Sequence, residues 1–272
     1  WCTDEAIRFI DETRDGPWLM SINYFDPHPA FDPPQDYLDR YDPAEMPGPH
    51  YVESDLAAQA ELSGVDFQSE PRKPEEFDAA AKQAAYYAMI ELIDDNVGRL
   101  LDHLEKTGRL DDTVIIYTSD HGESLGDHGL LLKGCRFYEG LVHVPLIISG
   151  PGFVSGQQTD ELVELTDIAP SLLELAGVSV PDRMVGRSLV PILRGETDDA
   201  VPRRFVRSEY YHTLSPLAPG RGEFSGSYGT MIRDDRYKLV VYHGHPVGEL
   251  FDLQNDPWEH KNLWNDPAHA DV

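Results

Sequence analysis

Two apolar runs flank a loop dense in Asp, His and Lys between Thr113 and Gly152, in the stretch TVIIYTSDHGESLGDHGLLLKGCRFYEGLVHVPLIISGPG. Val114 to Tyr117 and Val144 to Ile148 are continuous runs rich in β-branched residues, the pattern of strands buried on both faces of a parallel sheet. In open α/β sheets ligands bind beyond the carboxyl ends of the strands, and Ser119-Asp120-His121-Gly122 follows the first run directly. The sequence places an active site there. A carboxylate oxygen and an imidazole nitrogen are ordinary divalent-metal ligands. A tight turn at Gly122 lets Asp120 and His121 lean toward one ion. Lys133, followed by Gly134, can bring a cationic donor onto an anionic substrate held by that ion. Taken alone, Asp-His-Gly is more often a turn with a solvated Asp and a satisfied His.

The chain before this loop carries two further signals. Asp4 to Thr13 has helical spacing with Thr3 as its cap, and Trp18 to Phe25 reads as a first buried strand that runs into Asp26-Pro27-His28-Pro29. Prolines on either side fix His28 at a strand end, where a functional imidazole and an ordinary surface one are equally expected. Residues 31–74 are rich in proline and acid and predict a surface loop with short helices such as Gln35 to Tyr41; substrate selectivity is expected to lie there. Pro74 to Thr107 predicts a long helix, because Tyr86, Met89, Ile90, Ile93, Val97, Leu100, Leu101 and Leu104 form one apolar stripe that ends at Gly108. Asp94, Asp95 and Asn96 lie mostly off that stripe and read as solvated polar surface. Cys135 reads as a small buried hydrophobe.

After the loop, Thr166 is the expected cap of a helix through Asp167-Ile168-Ala169-Pro170 that ends at Gly177. Beyond Gly195 the pattern changes. Phe205 to Tyr211, Tyr228 to Arg233, Tyr237 to Tyr242 and Glu249 to Leu253 follow one another without helices, which predicts an antiparallel meander. The Gly-rich segment 212–227 between the first two makes His212 and Arg221 further candidates to border a substrate.

Length and charge bound the function. The 272 residues suffice for a full core. With 49 acidic residues against 22 Lys and Arg, a net charge of −27 argues against nucleic acid or an anionic membrane surface as the main partner. No stretch is long and apolar enough to span a membrane. Two cysteines, Cys2 and Cys135, give no disulfide framework. The first residues show neither a signal peptide nor an initiator Met, which leads to the expectation that the chain is a piece of a longer polypeptide and leaves the compartment open, periplasmic or secreted against cytoplasmic.

The string SDHGESLGDHGLLLKG, continued by FYEGLVHVPLIISGPG, resembles the second half of the sulfatase family in the alkaline phosphatase superfamily. ELTDIAPSLLELAGVSVP, GRSLVPIL, YKLVVY and ELFDLQNDPWEHKNL extend the resemblance, and PWLMSINYFDPHPAFDPP and YYAMIELIDDNVGRLLDHLE are similar to the family's central part. The implied fold is an alkaline-phosphatase-like α/β sandwich with a mostly parallel central sheet, incomplete here. Residues 1–195 would then be a partial catalytic domain, and 196–272 a small antiparallel subdomain.

The implied reaction is sulfate-ester hydrolysis. A formylglycine hydrate attacks sulfur while a divalent ion, usually calcium, draws charge from the sulfuryl oxygens. By this resemblance Asp120 and His121 match metal ligands, Lys133 matches the sulfate-binding lysine, and His28 matches the histidine near the leaving group, a candidate general acid. Asp127 and His128 are expected to support the site structurally. The chain departs from the family in three respects: it holds no Cys-x-Pro-Ser-Arg or Cys-x-Ala-Ser-Arg segment, no early paired aspartates and no Lys-x-His element. The formylglycine is therefore expected in an N-terminal half outside these residues, and the isolated chain is expected to turn over little. A sulfated carbohydrate or a small sulfate ester would be the substrate. The alternatives are a phosphonate or phosphate ester hydrolase of the same superfamily, or an inactive fragment that acts as a binding module.

Overall fold

Helices and strands succeed one another in a computed structural model that describes residues 1–12, 16–65, 70–196, 202–211 and 228–272. In chain order the helices are α1 (Cys2–Asp11), α2 (Gln35–Leu38), α3 (Asp55–Glu61), α4 (Ala79–Lys106), α5 (Glu139–Val142), α6 (Ile168–Leu175) and α7 (Val190–Leu193). The strands are β1 (Ile115–Thr118), β2 (Leu146–Ser149), β3 (Val206–Tyr211), β4 (Tyr228–Arg233), β5 (Tyr237–Tyr242) and β6 (Gly248–Asp252). Contacts divide the chain into two units, Trp1–Pro49 with Pro74–Val114, and His50–Lys73 with Ile115–Val272.

The first unit is built on α4. Its Asp78 N-cap accepts a hydrogen bond from the Ala81 amide, and Gly108 just beyond its end takes a φ of +67° that a side chain would strain. Met89, Ile93, Leu100 and Leu104 of the apolar stripe read from the sequence are buried, together with Ala84 and Ala88, whereas Ile90 of the same stripe is exposed. α1 is tied to α4 where the Thr3 hydroxyl donates to Asn96 Oδ1 at 2.7 Å, and α2 where the Tyr37 hydroxyl donates to Asp95 Oδ2 at 2.6 Å. Asp95 and Asn96 thus anchor neighbouring helices. Residues 17–25 form no strand. They enter no strand ladder among the described residues, and Leu19 and Phe25 are exposed; an apolar run becomes a buried strand only where a ladder and a covering layer receive it.

In the second unit β3, β4, β5 and β6 form an antiparallel sheet in sequence order, as the meander pattern predicts. Along β5 the burial alternates so that Lys238, Val240 and Tyr242 face inward, the period-two pattern of a sheet with one covered face. That face packs Met231, Val240 and Tyr242 against Leu62, Val65, Cys135 and Phe137. Gly229 is required there, because a Cβ would lie 2.7 Å from the Phe137 ring. Lys238, fully buried, is neutralised by Glu139 Oε1 at 2.6 Å and Glu259 Oε1 at 2.7 Å, and it also donates to the Phe137 carbonyl at 2.9 Å. Burial works against the Glu139 carboxylate, yet the His143 hydrogen bond and the Lys238 and Arg233 charges pull its pKa down to about 2.

That depression links stability to pH. The folded-state pKa lies below the ordinary 4.5, so the contribution of Glu139 is complete above about pH 4.5 and is lost as pH falls toward 2. The loss amounts to about 3 kcal/mol. Glu259 is pushed the other way by desolvation and offsets part of it. Denaturant titrations at pH 5 and pH 3 should therefore show a smaller decline for Glu139→Gln than for the unaltered chain; equal declines would place the acid sensitivity elsewhere.

Two local expectations are corrected. β1 and β2 pair with each other antiparallel, Ile115 opposite Ser149 and Thr118 opposite Leu146, where parallel strands buried on both faces were expected. The Thr118 hydroxyl donates to the Pro145 carbonyl at 2.9 Å, so the chain leaves β1 and enters β2 at the same end, which dictates an antiparallel pair. Neither strand is covered on both faces, and Ile147 is 62% exposed. The cap of the 165–175 helical segment is not Thr166. Glu164 and Asp167 form a reciprocal capping box, and the Thr166 hydroxyl donates to Glu164.

Candidate active site

The segment leaving β1 is held by its own backbone. The Ser119 hydroxyl donates to the His121 carbonyl at 2.8 Å, and the Gly122 amide donates to the Leu141 carbonyl at 2.8 Å. Gly122 lies so close to the next segment that a Cβ on it would meet the Gly140 carbonyl oxygen at 1.9 Å. Gly122→Ala should cost about 1–3 kcal/mol as the two segments are forced apart, measured as a shift in the denaturant midpoint. An unshifted midpoint would show that the contact is not needed.

This anchoring sets the histidine. His121 Nδ1 lies 2.8 Å from the Gly122 carbonyl, which can only accept, so Nδ1 carries the proton and Nε2 presents its lone pair. That Nε2 is 3.6 Å from Asp120 Oδ2, and the Asp120 side chain is open to solvent. An imidazole lone pair and an exposed carboxylate at this separation fit a shared divalent cation. The two side chains come together at a bend at Asp120, without the expected turn at Gly122.

Lys133 reaches the same loop through a residue the sequence reading passed over. Its Nζ forms an ion pair at 3.0 Å with Glu123 Oε2, whose side chain is buried two positions after His121. Between them the chain closes on itself. The Leu125 and Gly126 amides donate to the Leu131 and Leu130 carbonyls, and the Ser124 hydroxyl donates to the Leu132 carbonyl at 2.6 Å. The loop thus returns Lys133 beside Glu123. Only the Glu-Lys charge pair hinted at this, and no fixed spacing rule marks a pair closed by a loop.

Asp127 and His128 bond elsewhere in the second unit. Asp127 Oδ1 accepts the His50 amide at 2.8 Å, and the His128 amide donates to the His50 carbonyl at 3.0 Å, so the pair stitches the loop to segment 50–73. Burial raises the Asp127 pKa. His128, with φ +53°, turns its ring onto Tyr138 at 3.8 Å between centroids.

His28 belongs to the first unit. Its Nδ1 donates to the Pro29 carbonyl at 2.7 Å and its ring lies 4.9 Å from that of Phe25, which leaves Nε2 as its outward nitrogen. His212 and Arg221 lie outside the described residues.

Comparisons with known proteins identify the family. The family model described as Sulfatase matches residues 2–178. The chain belongs to the sulfatase family. A second model, described as N-sulphoglucosamine sulphohydrolase, C-terminal, matches residues 126–272. An arylsulfatase of Clostridium perfringens is 31% identical over 100% of the chain and 54% of its own length. A phosphonate monoester hydrolase from Silicibacter pomeroyi has a TM-score of 0.87 at 30% identity, covering 99% of this chain and 56% of that one. The protein BT4656, solved in complex with D-glucosamine-2-N,6-O-disulfate, has a TM-score of 0.81 at 25% identity, covering 99% of this chain and 66% of that one.

The chain spans about half the length of the curated sulfatase relatives it matches, 54% and 48% for two of them. The fold is that of the sulfatases within the alkaline phosphatase superfamily, α/β with a four-stranded antiparallel sheet at the C-terminal end. Membership of the sulfatase family implies a divalent metal. None of the described helices is long and apolar enough to cross a membrane.

Proposed function

We propose that this chain supplies the metal-binding and sulfate-binding part of a sulfuric ester hydrolase. The observation that supports the reading is the hydrogen bond from His121 Nδ1 to Gly122, which leaves the Nε2 lone pair beside Asp120 Oδ2. Asp120 and His121 would hold a divalent ion, calcium by analogy with the family, and that ion would draw charge from the sulfuryl oxygens. Lys133 donates to the same oxygens from its place beside the buried carboxylate of Glu123. His28, protonated, donates from Nε2 to the departing oxygen, with Nδ1 fixed on Pro29.

The nucleophile, a formylglycine in this reading, belongs to sequence beyond these 272 residues, since no segment here has the required motif. His212 and Arg221 are proposed to border the substrate. A sulfated sugar is the substrate class favoured, because BT4656 was solved with a glucosamine disulfate.

The likeness to phosphonate monoester hydrolases supports a second reading, since the same donors suit either tetrahedral anion. Steady-state rates on an aryl sulfate and an aryl phosphonate monoester, measured on the complete enzyme with calcium and with manganese, decide between them. A higher kcat/KM for the sulfate supports the sulfatase reading. A higher value for the phosphonate overturns it in favour of the second, and turnover of neither leaves a binding module.

A further inference from the structure

Asp55 is the first residue of α3 and is almost fully buried. Its Oδ2 accepts the Val52 amide at 2.9 Å, so Oδ1 is left for the two imidazoles that face it. His260 Nδ1 lies 3.2 Å and His128 Nδ1 3.8 Å from that oxygen. One ligand atom from each of the three residues lies within 4.8 Å of the others, the one such group among the described residues that reaches metal-ligand spacing. Metal–ligand bonds of 2.0–2.1 Å in a tetrahedron put ligand atoms about 3.3–3.4 Å apart. The two measured separations bracket that value.

The surroundings suit a bound ion. The His128 ring is stacked on Tyr138, which fixes its orientation, and His260 is partly exposed. A pocket lined by Asp55, His128, His260, Tyr138, Glu259 and Asn262 opens beside them. An ion would have a route in and room for a fourth ligand. Two imidazoles and one carboxylate are a zinc-like donor set, unlike the oxygen-rich shell a calcium ion takes.

We propose that Asp55, His128 and His260 bind a zinc-type divalent ion at a second site, separate from Asp120 and His121, that clamps three segments remote in sequence. α3, the loop after β1 and the turn after β6 would then be joined through one ion, with the gain expected of closing long loops.

The test uses the full chain stripped with a chelator and then titrated with Zn2+, with Co2+ as a spectroscopic stand-in. The chain should take up zinc, give the intense visible absorption of tetrahedral Co2+, and melt at a higher temperature with zinc than without. His260→Gln, at the partly exposed ligand, should weaken zinc binding at least tenfold and abolish the zinc-dependent melting shift. Asp120→Ala with His121→Ala should leave both intact. If His260→Gln fails to fold, the Co2+ spectrum of the unaltered chain still decides: an octahedral spectrum, or no uptake, overturns the proposal. Zinc binding that survives His260→Gln, or that is lost with Asp120 and His121, also overturns it and leaves Asp55 as a hydrogen-bonding bridge between two histidines.

Discussion

Lys133→Ala should lower turnover of a sulfate ester by the complete enzyme about 10²–10³-fold, equivalent to about 2.7–4 kcal/mol of transition-state stabilisation. The size follows from what the ammonium does. Negative charge on the sulfuryl oxygens repels a nucleophile, and a donor fixed before the reaction stabilises the charge without reorganising. Lys133 is fixed in this way, because its partner Glu123 is buried and the 124–132 segment closes on itself between them. The loss should fall on kcat as well as on kcat/KM, since the interaction strengthens as charge develops. Lys133→Arg should recover little, because a planar fork does not occupy the place of a point charge. A rate unchanged in Lys133→Ala would remove this residue from the site.

Lys238→Ala should destabilise the fold by about 3–5 kcal/mol, the cost of leaving buried charge without its partner. Lys238 has no solvent exposure and compensates both Glu139 and Glu259, the second of which is itself almost fully buried. Its removal strands Glu259 beneath the sheet and leaves Glu139 with His143 and Arg233. The account makes a second demand: adding Glu259→Gln to Lys238→Ala should restore part of the loss, since the more deeply buried of the two charges is then gone. Chemical denaturation of the three proteins checks this. Additive losses in the double variant would show that the ion pair is not what holds that layer.

Most of the fold was legible where one periodicity dominated. The stripe from Met89 to Leu104 gave α4, and the short β-rich segments after Gly195 gave the four-stranded meander, because each pattern meets the layer that buries it within the chain. The runs Trp18 to Phe25 and Val144 to Ile148 misled for the opposite reason: apolarity specifies burial without specifying which neighbour provides it. At the candidate site, the closeness of Asp120 and His121 could be read because the two are adjacent in sequence. Glu123 and the cluster of Asp55, His128 and His260 could not, since their partners meet only through the folded loop and across 205 residues of sequence.

In the proposed function Asp120 and His121 hold the ion on which sulfate-ester hydrolysis depends. The most direct measurement is the aryl sulfatase activity of the complete enzyme carrying His121→Ala, alongside the unaltered enzyme, each stripped of metal and titrated with calcium. The account predicts that activity of the unaltered enzyme returns with the ion, and that His121→Ala needs far more calcium and recovers only a small fraction of the rate. Full recovery by His121→Ala at the same calcium concentration would contradict it.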